Sequence, residues 1–311
     1  MVRVSTVGVV LGLLLSSAGG VAAQPLTCDP AQLSPASYRL ATDAQALNVT
    51  RPRTDWWEGF DATLSAHTEA LADLNEAALT LAERALDLDP RNLPARAILA
   101  RQLIVLGEDG DRARDEIRRV FDAGGALVWS ATLYDVDGRR FFLTAFDREG
   151  IHVYRFEETA FAHLPAPPRL RRDPPPDFPD ADATVFWRAW GGCLDGLRPV
   201  ASVPWSDVHE IKAGNHVLYF KFRSPVEVVA DGGKRKTLRE FKVALHGAMG
   251  TVDLFYRPSI YPSFGRPYMV PSRGVGIGPT MYQDRVRRTL AAIVDPEGRI
   301  KLPKASRGAG W

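Results

Sequence analysis

The chain has 311 residues, 45% of them apolar and 24% charged, with a formal charge of +2 at neutral pH. That length and apolar fraction bury a substantial core, most naturally as two domains of roughly 100 to 150 residues each, and the near-neutral balance gives no reason to expect a nucleic acid as partner. Its two cysteines, Cys28 and Cys193, do not form a Cys-x-x-Cys pair, which points away from thiol redox chemistry.

Residues 1–23 read as a secretory signal peptide: Arg3, the apolar run Val7 to Leu15, then Val21-Ala22-Ala23 as a small-residue cleavage site, so that the mature chain starts at Gln24. An uncleaved anchor is the rival reading, and the short stretch interrupted by Gly19-Gly20 disfavours it. Pro25-Leu26-Thr27 does not make Cys28 a lipid acceptor. No later apolar run is long enough to cross a bilayer, so no membrane span is expected after cleavage. Cys28 and Cys193 would then share an oxidising compartment and are the candidates for a disulfide between the mature N-terminus and the middle of the chain, geometry deciding.

From residue 24 to 53, Pro25, Pro30, Pro35 and Pro52 break the chain and leave room for a short helix in Ala36 to Leu47. Asn48-Val49-Thr50 is a glycosylation sequon, of consequence only in a source that glycosylates secreted proteins. Trp56-Trp57 and Phe60, core aromatics or a sugar-binding platform, lead into a helix that either ends near Ala66 or continues. Leu71, Leu74, Ala78, Leu81, Ala85 and Leu88 then follow at alternating steps of three and four, one stripe of a helix. Asp89-Pro90 ends it. A second helix starts near Asn92 and is apolar around most of its circumference, which predicts burial between neighbours. After the Gly107 to Gly110 turn, a third helix from about Asp111 directs Ala113, Ile117, Val120 and Phe121 inward and stops at Gly124-Gly125.

Ala78, Ala85 and Pro90, followed by Leu99, Ala100, Gly107 and Ala113, resemble a tetratricopeptide repeat over roughly residues 76 to 125, about one and a half repeats. Arg96 stands where the family has its first-helix aromatic, and no clean repeat precedes Asn75. Stacked repeats generally need about three copies to bury a continuous core, so this block must lean on the remainder of the chain.

After Gly125 the period turns to alternation. Leu127 to Tyr134, Arg140 to Asp147 and Ile151 to Glu157 read as a β-meander within residues 126–164. Asp135-x-Asp137-Gly138 has the opening of a calcium loop without its further ligands and reads as a hairpin turn. Residues 165–182, with seven prolines between flanking arginines and aspartates, form a linker or surface loop. An antiparallel sheet or partly closed barrel is expected over 183–257, from strands at Val185 to Trp190, Val208 to Ile211, His216 to Phe222, Val226 to Ala230 and Val252 to Tyr256; Thr237 to Leu245 fits strand and helix alike. Pro204-Trp205-Ser206-Asp207-Val208, then Glu210-Ile211 and Phe220-Lys221-Phe222, resembles a fragment of the pleckstrin-homology-like barrels of bacteria. Residues 258–311 are irregular, with a helix at Thr280 to Ile293, a short hairpin at Val294 to Leu302 and a flexible tail from Lys304.

None of the six histidines has the helical spacing of a zinc hydrolase. Asp207-x-His209 would share one face of a strand, and two ligands are too few for a metal. Without a Gly-x-Ser-x-Gly elbow or a histidine-paired cysteine no catalytic residue is named, and no cofactor or metal is expected. Gly274-Val275-Gly276-Ile277-Gly278 precedes Pro279 and lacks a phosphate-loop lysine. Lys234, Arg235 and Lys236, beside Arg239 and Lys242, form the one basic cluster: a patch for an anionic ligand, or a solvated turn that guards a sheet edge.

The expected fold is therefore α+β, an N-terminal helical block over residues 24–125 packed against a mainly antiparallel β region. The tetratricopeptide resemblance implies a non-catalytic interaction or scaffold role, secreted or periplasmic, with another envelope or secreted protein bound across the helical faces or along a β-edge. The alternatives are an envelope hydrolase acting on peptides or glycans, with Asp207, His209 or an acidic pair as its site, and a β-barrel module holding an anionic ligand through Lys234 to Lys236.

Overall fold

A computed structural model describes residues 25–49, 60–107, 109–131, 141–156, 188–189, 191–213, 218–229, 235–243 and 279–304. The fold is α+β: among those residues five α-helices and two antiparallel sheets form, with the helices mostly first, the strands after them and one helix returning at the end. The expected signal at 1–23, Trp56-Trp57, the Asp135 turn, the linker at 165–182, Val252 to Tyr256, the glycines of 274–278 and the tail from 305 lie outside the described residues.

Helix α1 (Pro35–Val49) begins where Ser34 caps it: the Ser37 N–H donates to Ser34 Oγ at 3.1 Å, and Pro35 takes a first-turn position that needs no donor. Helix α2 (Phe60–Leu88) runs 29 residues without interruption, so no turn falls between residues 60 and 75. Asp89-Pro90 follows it directly. Helix α3 (Leu93–Leu106) is capped by Asn92 Oδ1, which accepts the Ala95 N–H at 3.0 Å, and ends at Gly107, whose φ of 74° suits a residue without a Cβ. Helix α4 (Gly110–Asp122) is capped by Asp109 and buries Ala113, Ile117, Val120 and Phe121.

These helices pack in sequence, α1 on α2, α2 on α3 and α3 on α4. Alanines mark the crossings: Ala41, Ala85 and Ala95 meet in one cluster, and Ala78 meets Leu47 in another. Small side chains there let the helix axes approach closely. Every residue of α3 from Leu93 to Ile104 is buried, the polar Arg96, Arg101 and Gln102 included. Arg96 is ion-paired with Glu116 of α4, and Arg101 Nη1 donates to Val128 O at 2.8 Å, which fastens the helical block to the first sheet.

That sheet orders β1 (Leu127–Ala131), β2 (Phe141–Phe146), β3 (Gly150–Phe156) and β4 (Ala201–Pro204), all antiparallel. Strand β4 has no counterpart among the predicted strands. Four residues ending in proline carry too little alternation to register, and its partner lies across the proline-rich stretch. Where a strand is expected at Val185 to Trp190, Arg188 and Ala189 are helical instead. The chain turns tightly there, with the Gly192 N–H on Ala189 O and the Cys193 N–H on Arg188 O, and this presents Gly192 O to the Ala126 N–H at 3.1 Å.

The second sheet orders β5 (Val208–Ala213), β6 (Leu218–Val229) and β7 (Arg235–Val243). The two strands expected around Ser224-Pro225 are one strand, β6, with an irregular register between Lys221 and Val226. A proline is tolerated where the ladder is broken. Strand β7 settles the helix-or-strand ambiguity, because Phe241 and Val243 alternate into the core. The described strands of 183–257 thus divide between two sheets, β4 joining the first and β5 to β7 making the second.

Helix α5 (Pro279–Val294) packs on α3, α4 and β5. The hairpin expected at Val294 to Leu302 does not form. The Asp295 carboxylate accepts the Ile300 N–H and holds the turn against the helix end, so Lys301 runs parallel to β5, its N–H on His209 O at 2.9 Å and its O receiving the Ile211 N–H at 3.0 Å. One apolar core joins both sheets to α3, α4 and α5. Phe146 stands at its centre, with ring centroids 5.4 Å from Trp129, 6.2 Å from Trp205 and 5.3 Å from Phe220.

Candidate functional site

The cysteines meet. Cys28 and Cys193 are joined by a disulfide with Cα atoms 5.8 Å apart. Thr27 prepares the approach from one side, its N–H donating to Arg91 O at 2.8 Å while its O accepts the Leu93 N–H at 3.2 Å. Beside the bond lies a hollow of about 270 Å³ lined by residues that include Asp29, Leu93, Gly124, Arg188 and Asp195.

Asp207 and His209 are not a pair. Asp207 ends a 3₁₀ turn (Trp205–Asp207), whereas His209 stands in β5 at an irregular step of register, so the two-residue alternation that would align their side chains does not apply. His209 Nδ1 is buried without a hydrogen-bond partner. Lys234 lies outside the described residues; Arg235 opens β7 opposite Val229 and Lys236 follows opposite Val228. Arg235 has a 3.4 Å ion pair with Glu227, both side chains well exposed, a contact worth little. No three His, Cys, Asp or Glu side chains gather as metal ligands among the described residues, and no described helix is long and apolar enough to cross a membrane.

The structure brings together a different set, Asp147, His152 and Ser202. Asp147 follows β2 and is held as a turn cap: its Oδ1 accepts the N–H groups of Glu149 at 2.8 Å and Gly150 at 2.9 Å. His152 of β3 places Nε2 3.1 Å from Asp147 Oδ1 and Nδ1 2.9 Å from Ser202 Oγ. His152 and Ser202 face each other across the β3–β4 register. Burial pushes the Asp147 carboxyl up, but the His152 ring and the two peptide N–H groups outweigh it and leave the carboxyl below its usual value. Tyr154, two residues on from His152 and buried, has its hydroxyl pushed up to about 12 by burial and by the Asp147 charge. Sequence reasoning finds Asp147, Gly150 and the β3 alternation, but without β4 it has no means of placing Ser202.

No family model matches the chain, and no curated protein or solved structure proves similar to it. What the chain does must be argued from its own residues. A carboxylate, an imidazole and a hydroxyl in hydrogen-bonded series can move a proton along a line, and an alanine-rich helical stack can present a face.

Proposed function

We propose that this chain is an extracytoplasmic interaction protein, delivered by the signal at residues 1–23, whose tetratricopeptide-like helices receive another secreted or envelope protein. The observation that carries the reading is the sequential stacking of α1 to α4 with alanines at the crossings. The inner faces are committed to one another and to the sheets, and of the outer surfaces among the described residues the α4 face is charged, with Asp111, Arg112, Asp115, Arg118 and Arg119 exposed, whereas the outer face of α1 and the end of α2 carry apolar side chains a partner could cover. Tyr38 and Leu88, 39% and 54% exposed, are large apolar side chains at that place. Both sit at the same end of the helix pair, since the Ser34 N–H donates to Asp89 Oδ2 and Ser37 Oγ–H to Ala85 O. The extracytoplasmic location is supported by the Cys28–Cys193 bond, which cytosolic thiol buffers would keep open.

A photo-crosslinking residue in place of Tyr38 or Leu88, in cells exporting the full chain, tests this. A discrete adduct with one other exported protein is expected at both positions and not at Thr237 on β7. Absence of any adduct at 38 and 88 in the folded, exported protein, or equal adducts at 237, would overturn it.

A further inference from the structure

We propose that Asp147, His152 and Ser202 form an orienter, base and nucleophile that cleave accessible carboxylic esters, with Ser202 Oγ as the attacking atom. The backbone fixes all three. Asp147 is pinned by the Glu149 and Gly150 N–H groups, and the β3–β4 register sets His152 against Ser202. The Trp205 N–H donates to Glu149 O, which makes 149–205 and, two residues on, 151–203 the hydrogen-bonded pairs. His152 and Ser202 therefore form a non-hydrogen-bonded pair, the kind in which facing side chains stand closest. By the same alternation the Ser202 peptide N–H points away from β3, toward the outer side of β4, the strand that ends the sheet among the described residues. It is placed there to receive the oxygen of a carbonyl attacked by its own side chain.

The Asp147 carboxylate, ionised, can only accept, so the single N–H of neutral His152 stays on Nε2 and the bare Nδ1 faces the Ser202 hydroxyl. Ser202 Oγ bonds to the ester carbonyl carbon while its proton passes to Nδ1. The tetrahedral oxyanion collapses, the bond from carbon to the alkoxy oxygen breaks, and that oxygen takes the proton from Nδ1 and leaves as an alcohol. Water then attacks the acyl group on Oγ, giving a proton to Nδ1; the carboxylic acid departs and Oγ recovers its proton. Because Ser202 is exposed on an edge strand, the substrate class is an ester presented on a larger molecule rather than one enclosed on all sides. These residues are separate from the Tyr38 and Leu88 surface, so the inference stands or falls independently of the interaction reading.

The full chain treated with an alkyl fluorophosphonate should carry one adduct, mapped by mass spectrometry to Ser202 and lost in Ser202→Ala. In Asp147→Asn the side-chain oxygen still accepts the two turn N–H groups, and the amide takes the place of Oδ2, which also lies 3.1 Å from Nε2; donating there, it moves the ring proton to Nδ1 and the base is lost. Labelling is expected to slow at least about a hundredfold, with an unfolding midpoint close to wild type. Ser202 left unlabelled in the folded wild type, an adduct only at another serine, or equal rates in wild type and Asp147→Asn would overturn the proposal.

Discussion

Replacing Cys28 by Ser and Cys193 by Ala tests the strongest single restraint on the fold. The bond joins positions 165 residues apart, and in the chain-entropy treatment a loop of that length removes about 17 cal/mol/K from the unfolded state, or about 5 kcal/mol at 25 °C. Some of that ordering is duplicated, because Thr27 is tied independently to Arg91 and Leu93. A loss of about 3–5 kcal/mol is therefore expected. Urea unfolding followed by tryptophan fluorescence, on the oxidised wild type, the double variant and the wild type under reductant, measures it. The variant and the reduced wild type should share one lowered midpoint and a steeper slope, since the uncrosslinked chain exposes more surface. A midpoint shift worth less than about 0.5 kcal/mol would refute the reasoning, because the N-terminal segment would then be held by its hydrogen bonds alone.

Asp89 is buried, and the Arg91 side chain, acting against the cost of burial and with the Ser34 and Arg91 N–H groups, lowers its carboxyl from 3.8 to about 2. Its contribution is present above the ordinary carboxylate value and is lost as pH falls toward 2. At about 1.4 kcal/mol per unit, reduced for screening at the partly exposed Arg91, it is worth about 1–2 kcal/mol at pH 7. Asp89→Asn should lose that amount and flatten the stability profile between about pH 4 and 2, as read by unfolding at a series of acid pH values. Arg287 has no exposed side-chain surface, pairs with Asp284 and donates to Ile211 O and Pro303 O. Arg287→Met should cost about 3 kcal/mol by denaturant unfolding, while the same change at the exposed Arg288 costs under about 1 kcal/mol.

Much of the helical architecture is legible in the sequence because each device is local. Asn92 and Pro94 announce a helix start, Asp89-Pro90 a stop, and the Leu71 to Leu88 stripe is a single periodicity; the continuous burial of α3 follows from its all-round apolar surface. The continuation of α2 through residues 60–75 is not legible, since nothing in Ala66 to Glu69 either breaks or requires a helix. Among the strands, those with their own alternation are found and those defined by a partner are not. Strand β4 exists because β3 offers an edge, and β6 runs through Ser224-Pro225 because β7 flanks it on both sides of the irregularity. The candidate site shows the same limit. Asp147 and His152 are five residues apart, whereas Ser202 reaches them only through a pairing that no local pattern encodes.

Two thiols in one sequence admit a single intramolecular match, so oxidative maturation of this chain needs no shuffling among wrong partners. The second sulfur emerges from the ribosome long after the first, and until then the first has nothing of its own to react with. The missteps open to it are unions with thiols outside the chain, a neighbouring copy included, and each is undone by the arrival of its own partner.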